Sequence, residues 1–183
     1  MNPSPNLFLI GPMGAGKSSI GRRLGEHFGL PCIDLDVAVE ERTGTSVATI
    51  FEIEGEAGFR RRESAMLAEL SMRDGIVLAT GGGAVLVSDN RTLLRERGFV
   101  AWLETSVEQQ LQRLARDRQR PLLDVVDRRA QLEYLALERN PLYRELADFS
   151  VAASGESCQH AAARIASMLE RCWQRSAVPA SHA

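Results

Sequence analysis

Short apolar runs alternate along this chain with longer stretches in which apolar residues recur every three or four positions. The runs at 7–10, 32–35, 76–79, 100–103 and 149–152 read as strands, and the periodic stretches at 17–28, 58–71, 89–96, 107–116, 128–139 and 160–175 read as helices. In the first helix the stripe is Ile20, Leu24 and Phe28, and Gly29 follows as a stop. Ser106 with Gln109 forms a capping box, Gly98 closes the helix before the fourth strand, and Asn140-Pro141 is expected to end the helix at 128–139. Strands separated by single helices imply crossover connections, hence an α/β fold with a parallel sheet.

Two stretches break this rhythm. The first, residues 36–71, is an insertion between the second and third strands; the second, residues 116–123, is rich in arginine and contains Pro121. Functional residues concentrate in such departures from a regular scaffold. The 183 residues, 44% of them hydrophobic, suit one domain over 1–175, with the small polar stretch 176–183 expected to be a disordered tail.

A net charge of −2 and a pI near 6.0 disfavour nucleic acid as a main partner. Cys32, Cys158 and Cys172 lack zinc-ligand or disulfide-framework spacing and read as thiols in a reducing compartment. The first apolar run is too short for a signal peptide and none approaches a membrane span, so the expected location is the cytoplasm, away from membranes.

The strongest chemical signal is Gly11-Pro12-Met13-Gly14-Ala15-Gly16-Lys17-Ser18, a phosphate-loop pattern lying between a strand and a helix. Its glycines let successive N–H groups curl around an anion, the helix start adds unpaired donors, and Lys17 supplies a cation. Ser18 is placed to put its hydroxyl on Mg²⁺. At the end of the second strand stand Asp34 and Asp36, which face one side if the strand continues. One can hold Mg²⁺ through water and the other accept a hydroxyl proton, or both can be solvated residues capping the next helix.

Arg60, Arg61 and Arg62 fan over roughly 200° of a helix, so they cannot all serve one site. One turned inward could grip a carboxylate; alternatively all form a solvated face paired with Glu56 and Glu63. Gly81-Gly82-Gly83 after the third strand fits a close backbone approach to a substrate, or a flexible turn. Residues 116–123 read as a lid whose arginines could neutralise a phosphoryl in transfer, or as a plain exposed loop.

Together the phosphate loop, Asp34-x-Asp36, Gly55-Glu56-x-x-Phe59-Arg60-x-x-Glu63, Gly81-Gly82-Gly83, Arg120-Pro121-Leu122-Leu123 and Arg139-Asn140-Pro141-Leu142-Tyr143 closely resemble the shikimate kinase family, from Leu7 to about Ser150. The resemblance implies a three-layer phosphate-loop kinase fold related to nucleoside monophosphate kinases, with a five-stranded parallel sheet. It implies transfer of the γ-phosphoryl of ATP, with Mg²⁺, to the 3-hydroxyl of shikimate on the route to chorismate and the aromatic amino acids, by a monomer. On this basis Gly14, Ala15, Gly16, Lys17, Ser18 and Ser19 would hold ATP, with Arg113 near adenine and Arg120 on the transferring phosphoryl. Ser18 and Asp34 would serve the metal. Asp36 would bind ring hydroxyls and take the proton, Arg60 and Arg139 would clamp the carboxylate, Gly81, Gly82 and Gly83 would line the substrate, with Gly82 offering it a backbone N–H, and Phe51 and Phe59 would wall its pocket. Asp36, Lys17 and Arg120 are thus the catalytic set. Residues 152–159, where relatives place adenine contacts, carry nothing diagnostic and receive no role. The competing readings are a gluconate or nucleoside monophosphate kinase, and an ATP-binding module without turnover.

Overall fold

The computed structural model describes residues 3–115 and 121–175. Among these, five parallel strands form one sheet: β1 (Leu7–Ile10), β2 (Cys32–Asp34), β3 (Val77–Ala79), β4 (Phe99–Glu104) and β5 (Phe149–Ala152), in the order β2-β3-β1-β4-β5. Around it lie α1 (Lys17–Phe28), α2 (Leu35–Thr43), α3 (Val47–Leu70), α4 (Ser88–Arg97), α5 (Val107–Leu114), α6 (Arg128–Leu146) and α7 (Cys158–Cys172). The central strand β1 aligns Leu7 with Val77 on one side and with Phe99 on the other.

The period of two along each strand sorts the core into two layers. Phe8, Ile10, Leu78, Val100 and Trp102 pack on one face with Leu35, Phe59, Leu67 and Tyr143 from α2, α3 and α6. Leu7, Leu9, Val77, Phe99 and Ala101 pack on the opposite face with Leu24 of α1 and Ile165 and Leu169 of α7. Both faces are therefore covered, and the carboxyl rim of the strands is left to carry function.

The helix expected at 160–175 runs from Cys158 to Cys172, and three further elements differ from the sequence expectation. β2 stops at Asp34, and Leu35 already belongs to α2, because the Asp34 side chain caps that helix. The strand therefore does not continue through Asp36, the condition on which both carboxylates would face one side, and Asp36 sits in the first turn of α2. The helix expected at 58–71 is the second half of α3, which starts at Val47 and bends at Gly55, whose φ of 69° is a left-handed conformation that glycine adopts without steric cost. The helix expected to end before Pro141 runs on to Leu146. The carbonyl deprived of a donor by Pro141 belongs to Leu137, which is 79% exposed and can be hydrated, while Arg139, Tyr143 and Leu146 on the opposite side are buried. The segment 116–120, including Arg120, and the tail 176–183 lie outside the described residues.

Candidate active site

The phosphate loop joins β1 to α1, and Gly11, Gly14 and Gly16 all adopt positive φ, so the chain can wrap with its amides inward. Gly16 is the N-cap of α1 and has no side chain to occupy the helix start. Lys17 is 8% exposed, and its ammonium donates to the carbonyls of Gly11 at 2.7 Å and Pro12 at 2.8 Å. It is folded over the mouth of its own loop. Ser19 is exposed on α1, and Arg113 Nη1 reaches from α5 to the Gly14 carbonyl at 2.9 Å.

Ser18 Oγ donates to Asp34 Oδ2, while Asp34 Oδ1 accepts from the amides of Asp36 at 3.0 Å and Val37 at 3.3 Å. Helix capping thus orients the carboxylate, and its second oxygen meets the hydroxyl. A hydroxyl and one carboxylate are hard oxygen donors of the kind Mg²⁺ takes together with water and phosphate oxygens, so this pair fits that ion. No group of three or more metal-capable acidic, His or Cys side chains occurs among the described residues.

The second half of the site is built by α2, α3, α6 and the loop after β3. Of the three successive arginines, Arg60 turns inward, with a side chain only 12% exposed, while Arg61 and Arg62 are exposed and Arg62 pairs with Glu54. Arg60 Nη1 donates to Glu63 Oε2 at 2.6 Å, and Nη2 donates to Glu56 Oε1 at 2.9 Å. The partners are those of the solvated-face alternative, but the setting is a buried one: Glu63 has no exposure at all. Burial pushes the Glu63 carboxyl upward and Asp36 adds to the rise, while Arg60 and Arg139 pull it down.

Arg139 is 4% exposed, with Nε 3.5 Å from Glu138 Oε2, and its field reaches both Glu63 and Tyr143. The two arginines therefore converge on one buried cluster instead of diverging into solvent. Phe51 and Phe59 flank it with ring centroids 4.9 Å apart.

The three glycines hold the halves together through lack of side chains. A Cβ on Gly81 would stand 2.2 Å from Glu63 Oε1 and 3.0 Å from Asp36 Oδ1, and one on Gly83 would stand 2.0 Å from Arg60 Nη2. On Gly82 it would approach the Met13 amide nitrogen of the phosphate loop to 3.3 Å. The loop is wedged between the phosphate loop and a carboxylate-arginine cluster, so its glycines are positions where neighbouring protein groups come too close for a side chain.

A family model described as shikimate kinase matches residues 13–170. The chain belongs to the shikimate kinase family. It is 52% identical to the shikimate kinase of Vibrio campbellii over 165 residues, covering 90% of this chain and 96% of that one. With the shikimate kinase of Thioalkalivibrio sulfidiphilus the identity is 57% over 157 residues, or 86% and 83% of the two chains. A solved shikimate kinase of Acinetobacter baumannii in complex with shikimate superposes with a TM-score of 0.89 at 45% identity, covering 92% of this chain and 94% of that chain. The fold of this shikimate kinase family member is accordingly the phosphate-loop kinase fold.

Sequence reasoning passed over three features of this site. Glu63 was read only as a surface partner, although it occupies the apolar stripe Phe59, Glu63, Met66, Leu67 and Leu70, all buried. That spacing is visible in the sequence and puts Glu63 in line with the apolar side of the helix. Residues 152–156, assigned nothing, line a cleft with Ala15 of the phosphate loop, Arg113 and Arg164. No residue type at 152–156, Ala-Ala-Ser-Gly-Glu, signals it. Tyr143 stands in the motif Arg139-Asn140-Pro141-Leu142-Tyr143 with no sequence signal of a role, yet it is wholly buried and bonded to Gly82.

Proposed function

We propose that this chain transfers the γ-phosphoryl of ATP to the 3-hydroxyl of shikimate, as a single-domain cytoplasmic monomer that has no nucleic-acid partner. The observation that carries the reading is the glycine loop 81–83, in contact with the phosphate loop on one side and with Arg60, Glu63 and Asp36 on the other. A donor nucleotide and a small polyhydroxy acid then meet across it. The names of the relatives and the shikimate in the Acinetobacter baumannii structure support the same acceptor.

In this reading the loop amides and the N-terminus of α1 bind the phosphates, and Lys17 leaves the carbonyls of Gly11 and Pro12 for the β and γ oxygens. Mg²⁺, when bound, supplies charge neutralisation on the phosphate oxygens, and Ser18 and Asp34 would hold it, Asp34 through water. Arg139 and Arg60 grip the acceptor carboxylate. The Arg60 edge that it takes is the one now on Glu56, whose side chain is 42% exposed, while buried Glu63 keeps the guanidinium in place. Asp36 orients the ring hydroxyls and takes the proton as the oxygen–phosphorus bond forms and the bond to the ADP oxygen breaks. Arg120 is assigned to the transferring phosphoryl on the strength of the family pattern, and Arg113 with 152–156 to the adenine side of the nucleotide.

A coupled assay with shikimate, gluconate and nucleoside monophosphates tests the acceptor. We expect shikimate to exceed the others in kcat/KM by about 10⁴-fold, because an acceptor that leaves buried charges unpaired is strongly rejected. Faster turnover of gluconate or a nucleotide defeats the reading, and ATP binding in calorimetry without turnover of any acceptor favours the non-catalytic module. Asp36→Asn is expected to lower kcat about 10²-fold at saturating shikimate. Retention of most of the rate would reduce Asp36 to an orienting group.

A further inference from the structure

We propose that Tyr143 is a positioning residue, its hydroxyl holding the glycine loop so that the loop presents only N–H donors to the acceptor alcohol. The inference rests on the reading that this loop faces that alcohol.

All three carbonyls of the loop are engaged. Gly81 O accepts from the Ala84 amide at 3.2 Å, Gly83 O accepts from the Leu86 amide at 3.0 Å, and Gly82 O accepts from the Tyr143 hydroxyl. Among the described residues no acceptor takes the N–H of Gly81, Gly82 or Gly83. Two of the three carbonyl bonds are local turns. The third comes from α6, 61 residues along the chain, and is the one that ties the loop to the element carrying Arg139.

Its consequence follows from peptide geometry. In a trans unit the Gly82 carbonyl and the Gly83 N–H point in opposite directions, so an anchored oxygen aims the amide the other way. Consecutive glycines rotate at little steric cost, and without that anchor the same peptide can turn a carbonyl toward the substrate. The phenol suits the task. It is fully buried, its ring is packed against Trp102 with centroids 5.8 Å apart, and burial raises its pKa, so the O–H stays protonated and donating.

Tyr143→Phe removes one oxygen and keeps the ring. Steady-state kinetics should show the KM for shikimate raised about tenfold, the value of one ordinary hydrogen bond, with the KM for ATP within about twofold of wild type. Trp102→Phe thins the packing on the same ring but leaves the hydroxyl, and should lower the urea midpoint while both KM values keep their wild-type ratio. Equal movement of the two KM values in Tyr143→Phe, no movement of either, or a failure of that variant to fold overturns the positioning role. A matching rise in the shikimate KM of Trp102→Phe overturns it too, since packing would then account for the effect. Wild-type protein that does not phosphorylate shikimate would defeat the functional reading itself, whereas wild-type turnover with an unsplit Tyr143→Phe would defeat only the role of the tyrosine.

Discussion

Lys17→Met is expected to lower kcat about 10³-fold while ATP still binds. The separation follows from how the loop is built. Its amides and the start of α1 remain in place to hold a triphosphate, because they belong to the backbone and Gly16 caps the helix without a side chain. In the proposed reaction Lys17 is the group that moves, since its ammonium now rests on the carbonyls of Gly11 and Pro12 and would leave them to follow charge onto the β and γ oxygens. An interaction that strengthens as charge shifts between those oxygens lowers the barrier more than it tightens binding. Methionine keeps the length and apolar stem, so packing near α1 is disturbed little. Calorimetric titration of ATP beside steady-state turnover checks the prediction, and a kcat within about tenfold of wild type would remove Lys17 from the reacting end.

Arg60→Ala should cost about 3 to 5 kcal/mol of stability, the second large effect, because it takes from wholly buried Glu63 its only ion-pair partner among the described residues and leaves it the weaker field of Arg139. The surroundings already disfavour the carboxylate there, and Arg60 is its nearest counter-charge. Adding Glu63→Gln to Arg60→Ala removes that penalty, so the double variant should regain more than half of the lost stability in urea melts. Shikimate affinity should not return with it. A bidentate charge-assisted fork is worth about 1.5 to 3 kcal/mol, and the double variant still lacks it, so its KM for shikimate should stay about 10- to 100-fold high. Stability and affinity recovering together would mean that Arg60 acts on the substrate only through the fold.

Much of the donor half of the site is legible along the chain. β1, the loop and α1 are contiguous, their geometry depends on glycine positions and on the Ile20 and Leu24 stripe, and the observed helix has the expected ends. The acceptor half is less so. The motif Phe59-Arg60-x-x-Glu63 shows that an arginine and a glutamate are one helical turn apart, which is equally compatible with a solvated pair. Burial distinguishes the two, and burial depends on α3 packing against a sheet strand and α2. Asp34 illustrates the same limit. Whether an aspartate after a strand extends it or caps the next helix is a close local competition, and here the cap prevails, leaving its other oxygen for Ser18. In α6 the local stop signal at Pro141 is overridden, because ending the helix there would expose Tyr143 and Leu146 from the core.

The sequence by itself determined the alternation of strands and helices and the phosphate loop, since these depend on neighbours within a turn or two. Only the tertiary structure decided that Arg60 turns inward onto buried Glu63, that Arg139 joins it, and that Tyr143 reaches Gly82 across 61 residues. Those pairings arise where separate elements exclude water together, and no local preference of the chain specifies which side chains will share that dry space.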